Sequence, residues 1–273
     1  MKITHLSDLH VSGGYFVPEW GESVVEARET IRPDLTVITG DLTTEGHVDE
    51  YERALGFIRQ LRTGSLIVVP GNHDARNEGH MLFEEMFKTR YPYFVNDAVA
   101  VLGIDSSQPD VDDGHVGRSN YPQITERLAP SPRLRILAMH HHLIPIPGTG
   151  RKRHIPTDSG DVLKLCVEQQ VDLILSGHKH LPWIWRLENT HLITGGTAAS
   201  RRLKGRSYPS FNVITLAGGM LTVEEYNVAT GAVRGVLSLL RSGATNQQSI
   251  ACVWTKPEPV PGMRILQYGH SPS

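Results

Sequence analysis

Cysteine is almost missing from this chain: Cys166 and Cys252 are the two in 273 residues. That excludes a disulfide framework and a thiolate zinc site, which need several cysteines at set spacings. Both read as small buried apolar residues. No apolar run approaches the roughly 20 residues that cross a bilayer, so no membrane-spanning segment is expected. Neither sign of charge is in excess. The formal net charge is −2, and no global basic field draws the chain to nucleic acid or to a membrane surface. Internal repeats and low-complexity blocks are absent too. Met1 leads straight into a strand-like stretch without the charged-then-apolar start of a leader, and a cytoplasmic location is the default expectation. What remains is an ordinary globular composition, 39% hydrophobic and 21% charged, in a chain long enough to bury a sizeable core.

Histidine is the residue in unusual supply, 14 in all. Many of these fall in five polar clusters: Asp8-Leu9-His10, Gly40-Asp41, Gly71-Asn72-His73-Asp74, His140-His141-His142 and Gly177-His178-Lys179-His180. Each follows an apolar, β-branched run that reads as a buried strand: Ile3 to Leu6, Leu35 to Ile38, Leu66 to Val69, Ile136 to Met139 and Val171 to Leu175. In open α/β sheets ligands bind beyond the carboxyl ends of the strands. Helical spacing over Glu22 to Ile31, Val48 to Leu61 and Met81 to Phe87 alternates with the early strands, which predicts βαβ units and a mainly parallel sheet. Phe94 to Ile104 is strand-rich with a turn near Asp97, and Ser119 to Leu128 and Asp161 to Gln170 read as helices. After His180 the texture is β, over Trp183 to Trp185, His191 to Thr194, Phe211 to Leu216 and Leu221 to Val223. Gly218-Gly219 suits a hairpin turn. The expected architecture is therefore α/β, with a second sheet packed on the first and helices outside both. From about Leu240 the chain reads as an extension, in which Ile250 to Trp254 is a candidate edge strand.

The clusters carry the chemistry. Asp8 and His10 lie two apart, and so do His178 and His180; at an extended strand end each pair shares a face and can reach one cation. Gly40 lets the backbone come close behind Asp41, whose two carboxylate oxygens can bridge two metals. Asn72 offers a carbonyl oxygen and His140 an imidazole. Seven protein ligands suit two cations that keep positions open for water and substrate. Such a pair makes hydroxide available near neutrality for in-line attack and neutralises phosphoryl oxygens. A donor set of Asp, Asn and His without Cys suits Mn, Fe, Zn or Co. His73 is placed to donate a proton to a leaving alkoxide or a hydrogen bond to a phosphoryl oxygen, with Asp74 to orient it.

The order D-x-H, G-D, G-N-H-D, His cluster, G-H-x-H, over roughly Lys2 to His180, resembles the calcineurin-like metallophosphoesterase superfamily, most of all its bacterial class III cyclic-nucleotide phosphodiesterase branch. The resemblance implies a four-layer α/β/β/α sandwich of two mixed sheets flanked by helices, with a metallophosphoesterase domain over 1–239 and a C-terminal extension over 240–273. It implies a first metal on Asp8, His10, Asp41 and His180. A second would sit on Asp41 (bridging), Asn72, His140 and His178, with His73 as catalytic partner. Where that branch shows a His-His-Pro-type segment, this chain reads His140-His141-His142-Leu143-Ile144-Pro145, so His141 stands as the alternative ligand. His141, Arg151 and Arg153 are candidates to contact substrate, the last two against the plainer reading of a solvated basic loop. The expected function is a dinuclear-metal phosphodiesterase acting on a small-molecule phosphodiester, with a 3′,5′-cyclic nucleotide as the leading candidate. The alternatives are a phosphomonoesterase, or a nuclease or nucleotide pyrophosphatase on the same site. A non-catalytic interaction module on this fold is disfavoured because no ligand is lost. A metal-dependent amidohydrolase does not fit the Asp8-Leu9-His10 and Gly71-Asn72-His73-Asp74 blocks. Neither a membrane nor nucleic acid is expected as partner, and a homo-oligomer stays open.

Overall fold

Alternation along the strands decides which side chains meet. In the computed structural model, which describes residues 1–12, 14–149 and 154–241, β1 (Lys2–Leu6), β2 (Leu35–Thr39) and β3 (Leu66–Val69) run parallel. The helices α1 (Pro18–Ile31) and α2 (Val48–Gln60) connect them, and α3 (Gly79–Phe87) follows β3. A second sheet is built from β4 (Tyr93–Val95), β5 (Val99–Gly103), β6 (Leu134–Ala138), β7 (Leu173–Ser176), β8 (Trp183–Leu187) and β9 (Thr190–Thr194), with α4 (Tyr121–Arg127) and α5 (Ser159–Glu168) on its outer side. The chain then returns to complete the first sheet with β10 (Ser210–Ala217), β11 (Met220–Asn227) and β12 (Val233–Leu240). Strand order is β12-β11-β10-β1-β2-β3 in one sheet and β4-β5-β6-β7-β9-β8 in the other. Both sheets are mixed, since β10 joins β1 antiparallel and β8 joins β9 antiparallel.

Period-two patterning builds three apolar layers. Ile3, Val37, Ile67, Ile214 and Val223 meet Val101, Ile136, Leu173 and Ile193 in one buried cluster between the sheets. The alternate residues Leu6, Ile38 and Val68 pack with Val24, Phe57 and Phe83 of α1, α2 and α3. On the far side Leu102, Leu137 and Ile174 pack with Ile124, Val162 and Cys166 of α4 and α5. The result is the four-layer α/β/β/α sandwich of the expectation. Each of these side chains contributes about 1.5–3 kcal/mol when taken out of water, and the central layer locks the two sheets so that their strand ends lie together.

Local signals did their part. Gly218 and Gly219, with φ of 56° and 76°, make the two-residue turn between β10 and β11, which needs left-handed backbone at both positions. Asn96 caps the turn around Asp97, and β4 pairs antiparallel with β5. β12 lacks a clear sequence signature, because Arg234, Gly235 and Ser238 interrupt its apolar residues; it is ordered by pairing with β11. The boundary expected after residue 239 thus falls one residue inside a strand. Cys252, the edge strand expected over 250–254 and almost all of the 240–273 extension lie outside the described residues.

Candidate metal centre

The strands that carry the polar clusters end at one edge of the sandwich, and the chain leaves them through left-handed turns. Asp8, His10, Asp41, His178 and His180 have φ of 53°, 45°, 52°, 72° and 52°. For a residue with a Cβ this costs on the order of 1 kcal/mol each, and such strain gathers at functional sites. The convergence of Asp8 with His10 is therefore not that of an extended strand end: β1 stops at Leu6, and two left-handed residues aim the side chains instead. Adjacent loops tie these turns down. The backbone N–H groups of Asp8, His10 and Val11 donate to the carbonyls of Gly40, Asp41 and Leu42 at 3.0, 2.9 and 2.8 Å. Across the sheets, the His178 amide donates to both Asp8 oxygens at 3.1 and 3.2 Å. Gly40 (φ 80°) is required by close approach, since a Cβ there would meet the Gly71 nitrogen at 2.5 Å.

Two groups of donor atoms result. Asp8, His10, Asp41 and His180 are buried, with one ligand atom from each lying within 4.8 Å of the others. Beside them stand Asn72 Oδ1, His140 Nε2 and His178 Nδ1, at 3.1 Å (Asn72 to His140), 2.9 Å (Asn72 to His178) and 3.2 Å (His140 to His178). Asp41 lies between the groups, Oδ2 at 3.7 Å from His10 Nε2 and Oδ1 at 3.4 Å from His140 Nε2. Of His140 and His141, it is His140 whose Nε2 faces Asn72 and His178. The nitrogens of His141 are taken by Ser106 Oγ at 2.9 Å and the Asp112 carbonyl at 3.1 Å.

Whether these residues fit cations follows from where their protons sit. His10 Nδ1–H donates to the Thr43 carbonyl at 3.0 Å, and His140 Nδ1–H to the Thr39 carbonyl at 2.7 Å. Their Nε2 atoms then carry lone pairs. Burial holds His10 and His178 well below the usual imidazole range, lowers His140, and pushes His180 down to about 3, so the rings are neutral at pH 7. Asn72 donates Nδ2–H to Asp112 at 3.0 Å, which turns its oxygen inward. Asn72 Oδ1 and His140 Nε2 are thus acceptors facing one another, beside an Asp41 Oδ1 that itself accepts from the His73 amide. Burial, followed by the charge of Asp41, raises the Asp8 carboxyl well above its ordinary range. Burial raises the Asp41 carboxyl as well, but the imidazoles around it, His140 first, outweigh that in the acid range where they are charged and hold it below the usual carboxylate range. Mutually facing lone pairs and two buried carboxylates repel one another unless positive charge lies among them. Divalent cations supply it, and backbone carbonyls that orient ligand imidazoles are the usual support of such sites.

His73 stands at the edge of the first group, its ring centroid 4.9 Å from that of His10. Its amide donates to Asp41 Oδ1 at 3.0 Å and its Nδ1 to the Thr44 carbonyl at 2.6 Å. Asp74 does not orient it, contrary to the sequence-based expectation. The Asp74 carboxylate accepts from the amides of Leu42, Thr43 and Gly71 at 3.1, 2.8 and 2.9 Å and from the Thr43 hydroxyl at 2.9 Å. It clamps the loop after β2 to the loop after β3. His141 is fully buried with both nitrogens engaged, so it is not free to contact substrate as expected. Arg151 and Arg153 lie outside the described residues.

The centre opens into a cleft of about 510 Å³, counting its mouth, lined by Asp41, Asn72, His73, His178 and His180 on its floor. Asp112 and His154 line it too, and Arg76 bridges Asp112 and Glu45 at 3.1 and 3.0 Å. Sequence reasoning gave no role to three further cations that line it, Lys179, Arg202 and Lys204. Arg202 Nη1 donates to His73 Nε2 at 3.0 Å, and its guanidinium stacks over Tyr15 at 5.1 Å. The signal was there to read: Gly195-Gly196-Thr197 ends a further strand, β9, and the basic residues follow it as a sixth polar cluster at a strand end.

Comparison with known proteins places this geometry beside a family, curated relatives and solved structures. The family profile described as calcineurin-like phosphoesterase matches residues 1–182. A probable cyclic nucleotide phosphodiesterase of Xenorhabdus bovienii is 23% identical over 208 residues, 69% of this chain and 82% of that protein. A cAMP/cGMP dual specificity phosphodiesterase of Mycobacterium tuberculosis is 28% identical over 194 residues, 65% of this chain and 61% of that one. A probable cyclic nucleotide phosphodiesterase of Psychrobacter, 29% identical, is spanned over 48% of its length, so some relatives extend well beyond the match. Among solved structures, purple acid phosphatase PPD1 from yellow lupin seeds superposes with a TM-score of 0.66 at 15% identity, over 86% of this chain and 52% of that one. GAP50 of Plasmodium gives 0.61 at 12%, over 86% and 88%. At these identities the structural likeness is one of fold.

Proposed function

The chain belongs to the calcineurin-like phosphoesterases, a family of metal-dependent phosphoester hydrolases, and we propose that it uses two divalent cations to hydrolyse a small-molecule phosphodiester, with a 3′,5′-cyclic nucleotide as the leading candidate. The observation that carries this reading is the division of seven acceptors into two adjoining groups, with Asp41 turning one carboxylate oxygen to each. Asp8, His10, Asp41 and His180 would hold one cation, and Asp41, Asn72, His140 and His178 the other. When bound, the pair supplies Lewis acidity that activates water and offsets phosphoryl charge. The remaining work falls to the chain itself. The Thr43 and Thr39 carbonyls hold two imidazoles in the tautomer that offers Nε2. Asp112 keeps the Asn72 oxygen turned inward, and the Asp74 clamp sets the distance between the loops of Asp41 and Asn72. His73, fixed at Nδ1 by Thr44, presents Nε2 to the cleft, where it can exchange a proton or hydrogen bond with the phosphoryl group or leaving oxygen. The names of the curated relatives support the cyclic-nucleotide reading. The cations that line the cleft keep phosphomonoesterase as the second one.

The test is turnover of bis-p-nitrophenyl phosphate against p-nitrophenyl phosphate by manganese-loaded protein. It is followed by 3′,5′- and 2′,3′-cyclic nucleotides, glycerophosphodiesters and phosphomonoesters. Absence of turnover on the whole panel after metal loading refutes the reading, and preference for monoesters moves it to phosphomonoesterase. Asn72→Ala is expected to lose one equivalent of bound metal together with turnover. Retention of both would remove Asn72 from the centre.

A further inference from the structure

The cations that line the cleft are not accounted for by a pair of metals. Lys179 is 6% exposed, lies between His178 and His180 in sequence, and reaches the cleft. Its stem is buried while its ammonium reaches the cleft, where an anion is the natural partner of a cation. Yet among the described residues none of Lys179, Arg202 and Lys204 forms an ion pair, whereas Arg76 in the same cleft is matched by Glu45 and Asp112. Arg202 offers five N–H donors. One goes to His73 Nε2 at 3.0 Å, and the Tyr15 face holds the plane of the guanidinium. Its position is further set by its amide, which donates to Ser200 Oγ at 3.2 Å.

The hydrogen bond to His73 has a direction. A guanidinium only donates, so His73 Nε2 accepts, and His73 Nδ1 is spent on Thr44. In this arrangement both ring nitrogens of His73 are occupied by the protein itself. We propose that Lys179, Arg202 and Lys204 form an anion subsite for the non-bridging oxygens of the phosphoryl group, and that Arg202 passes from His73 to that group when substrate enters. An anionic phosphoryl oxygen is a stronger acceptor than a neutral imidazole, and a guanidinium matches phosphate with paired donors. The exchange frees His73 Nε2 only when a phosphoryl group is present to be acted on. Arg202 is then a positioning residue for His73 as well as a binding one, while Lys204, on the exposed rim, contributes charge alone. The inference rests on the phosphoesterase reading for the identity of the anion.

Two measurements on manganese-loaded protein test it: calorimetric binding of inorganic phosphate, and steady-state kinetics on bis-p-nitrophenyl phosphate. Lys204→Met is expected to weaken phosphate and raise KM, each about threefold to tenfold, with kcat kept, the pattern of lost uniform binding. Arg202→Gln is expected to weaken phosphate about tenfold and to lower kcat at least tenfold. Arg202→Lys should restore phosphate affinity but not kcat, because an ammonium lacks the paired donors. Unchanged phosphate affinity in Lys204→Met and Arg202→Gln, with turnover intact, overturns the subsite and leaves the phosphoesterase reading standing. A kcat unaltered in Arg202→Gln overturns the link to His73. Phosphate binding that depends on these residues, in a protein that hydrolyses no phosphoester, sustains the subsite and overturns the reading beneath it.

Discussion

Gly71→Ala is the substitution on which the geometry of the centre makes its sharpest demand. Gly71 has no left-handed backbone, so alanine meets no torsional objection. The obstacle is space. A Cβ at this position would lie 2.9 Å from the Asp41 carboxyl carbon and 2.5 Å from the Asp41 nitrogen, with Oδ1 closer still, whereas ordinary contact begins at 3.4 Å. Neither neighbour is the loose end of a flexible side chain. Asp41 is 1% exposed, in a left-handed turn, with Oδ1 holding the His73 amide. Relief therefore requires the Asp41 carboxylate or the two loops to separate by roughly 0.5–1 Å in a close-packed interior. That also pulls on the Gly71 amide, which donates to Asp74 at 2.9 Å. Overpacking of this kind costs about 1–3 kcal/mol in stability, and a misplacement near 1 Å at a reacting centre costs on the order of 10²-fold in rate. The expected outcome is a variant that folds, with a urea midpoint lowered accordingly, that retains less than two equivalents of metal after desalting, and whose kcat/KM falls about a hundredfold. Gly64→Ala, where a Cβ would meet nothing within 4 Å, is the control and should change none of these. Two tightly held metals and kcat/KM within twofold of wild type in Gly71→Ala would refute the placement of Asp41 between the groups.

Three further outcomes are expected. His5 is buried between Thr39 Oγ1 at 2.9 Å and Asn212 Nδ2 at 3.1 Å, and burial lowers its pKa from 6.5 to about 3. The unfolded chain therefore takes up this proton first. The stabilisation is complete above pH 6.5 and is lost as pH falls toward 3, with a slope of at most about 1.4 kcal/mol per pH unit. Urea unfolding between pH 6 and 4 should show His5→Gln with a slope smaller by about one proton; identical slopes would contradict the assignment. The Tyr51 hydroxyl is buried, donating to the Asp74 carbonyl at 2.7 Å with the Gly79 carbonyl at 3.1 Å, so Tyr51→Phe strands buried acceptors and should cost about 1–3 kcal/mol, read as a lowered midpoint. Stripping metal with a chelator should lower the melting temperature and readdition of manganese should restore it, by about 2.7 kcal/mol at a hundredfold excess over Kd. Equal melting temperatures for stripped and loaded protein would mean that the converging acceptors are not a metal centre.

The strand-end positions of the seven acceptors were readable because buried parallel strands announce themselves as β-branched runs, and polar residues directly after them have nowhere to point but the sheet edge. The helices were readable from apolar spacing, although α1 begins at Pro18, ahead of where periodicity placed it. Asp74 was misread because adjacency in sequence suggested adjacency in function. Its carboxylate in fact reaches three amides, two of them in the loop after β2, and that pairing depends on how two loops meet. β12 and the Arg202 loop were passed over for a related reason: their roles come from what they dock against, β11 in one case and the separate loops of Tyr15 and His73 in the other.

By itself the sequence determined which chemistry was available and on which kind of scaffold. Scarce cysteine ruled out thiolate metal sites, and period-two apolar runs with helices between them set a layered α/β architecture. Asp, Asn and His at the strand ends set the donor types. Only the tertiary structure decided how those donors are used. His140 keeps an Nε2 lone pair for the centre because its Nδ1–H goes to the Thr39 carbonyl, whereas His141 donates Nε2–H to the Asp112 carbonyl and accepts from Ser106 at Nδ1. The position of Asp41 between the two donor groups, the left-handed turns that aim Asp8 and His10, and the capture of His73 by Arg202 rest likewise on contacts between segments that meet only on folding. Composition and local pattern specify what a segment buries and exposes, whereas hydrogen-bond direction and charge balance are properties of a place where distant segments meet.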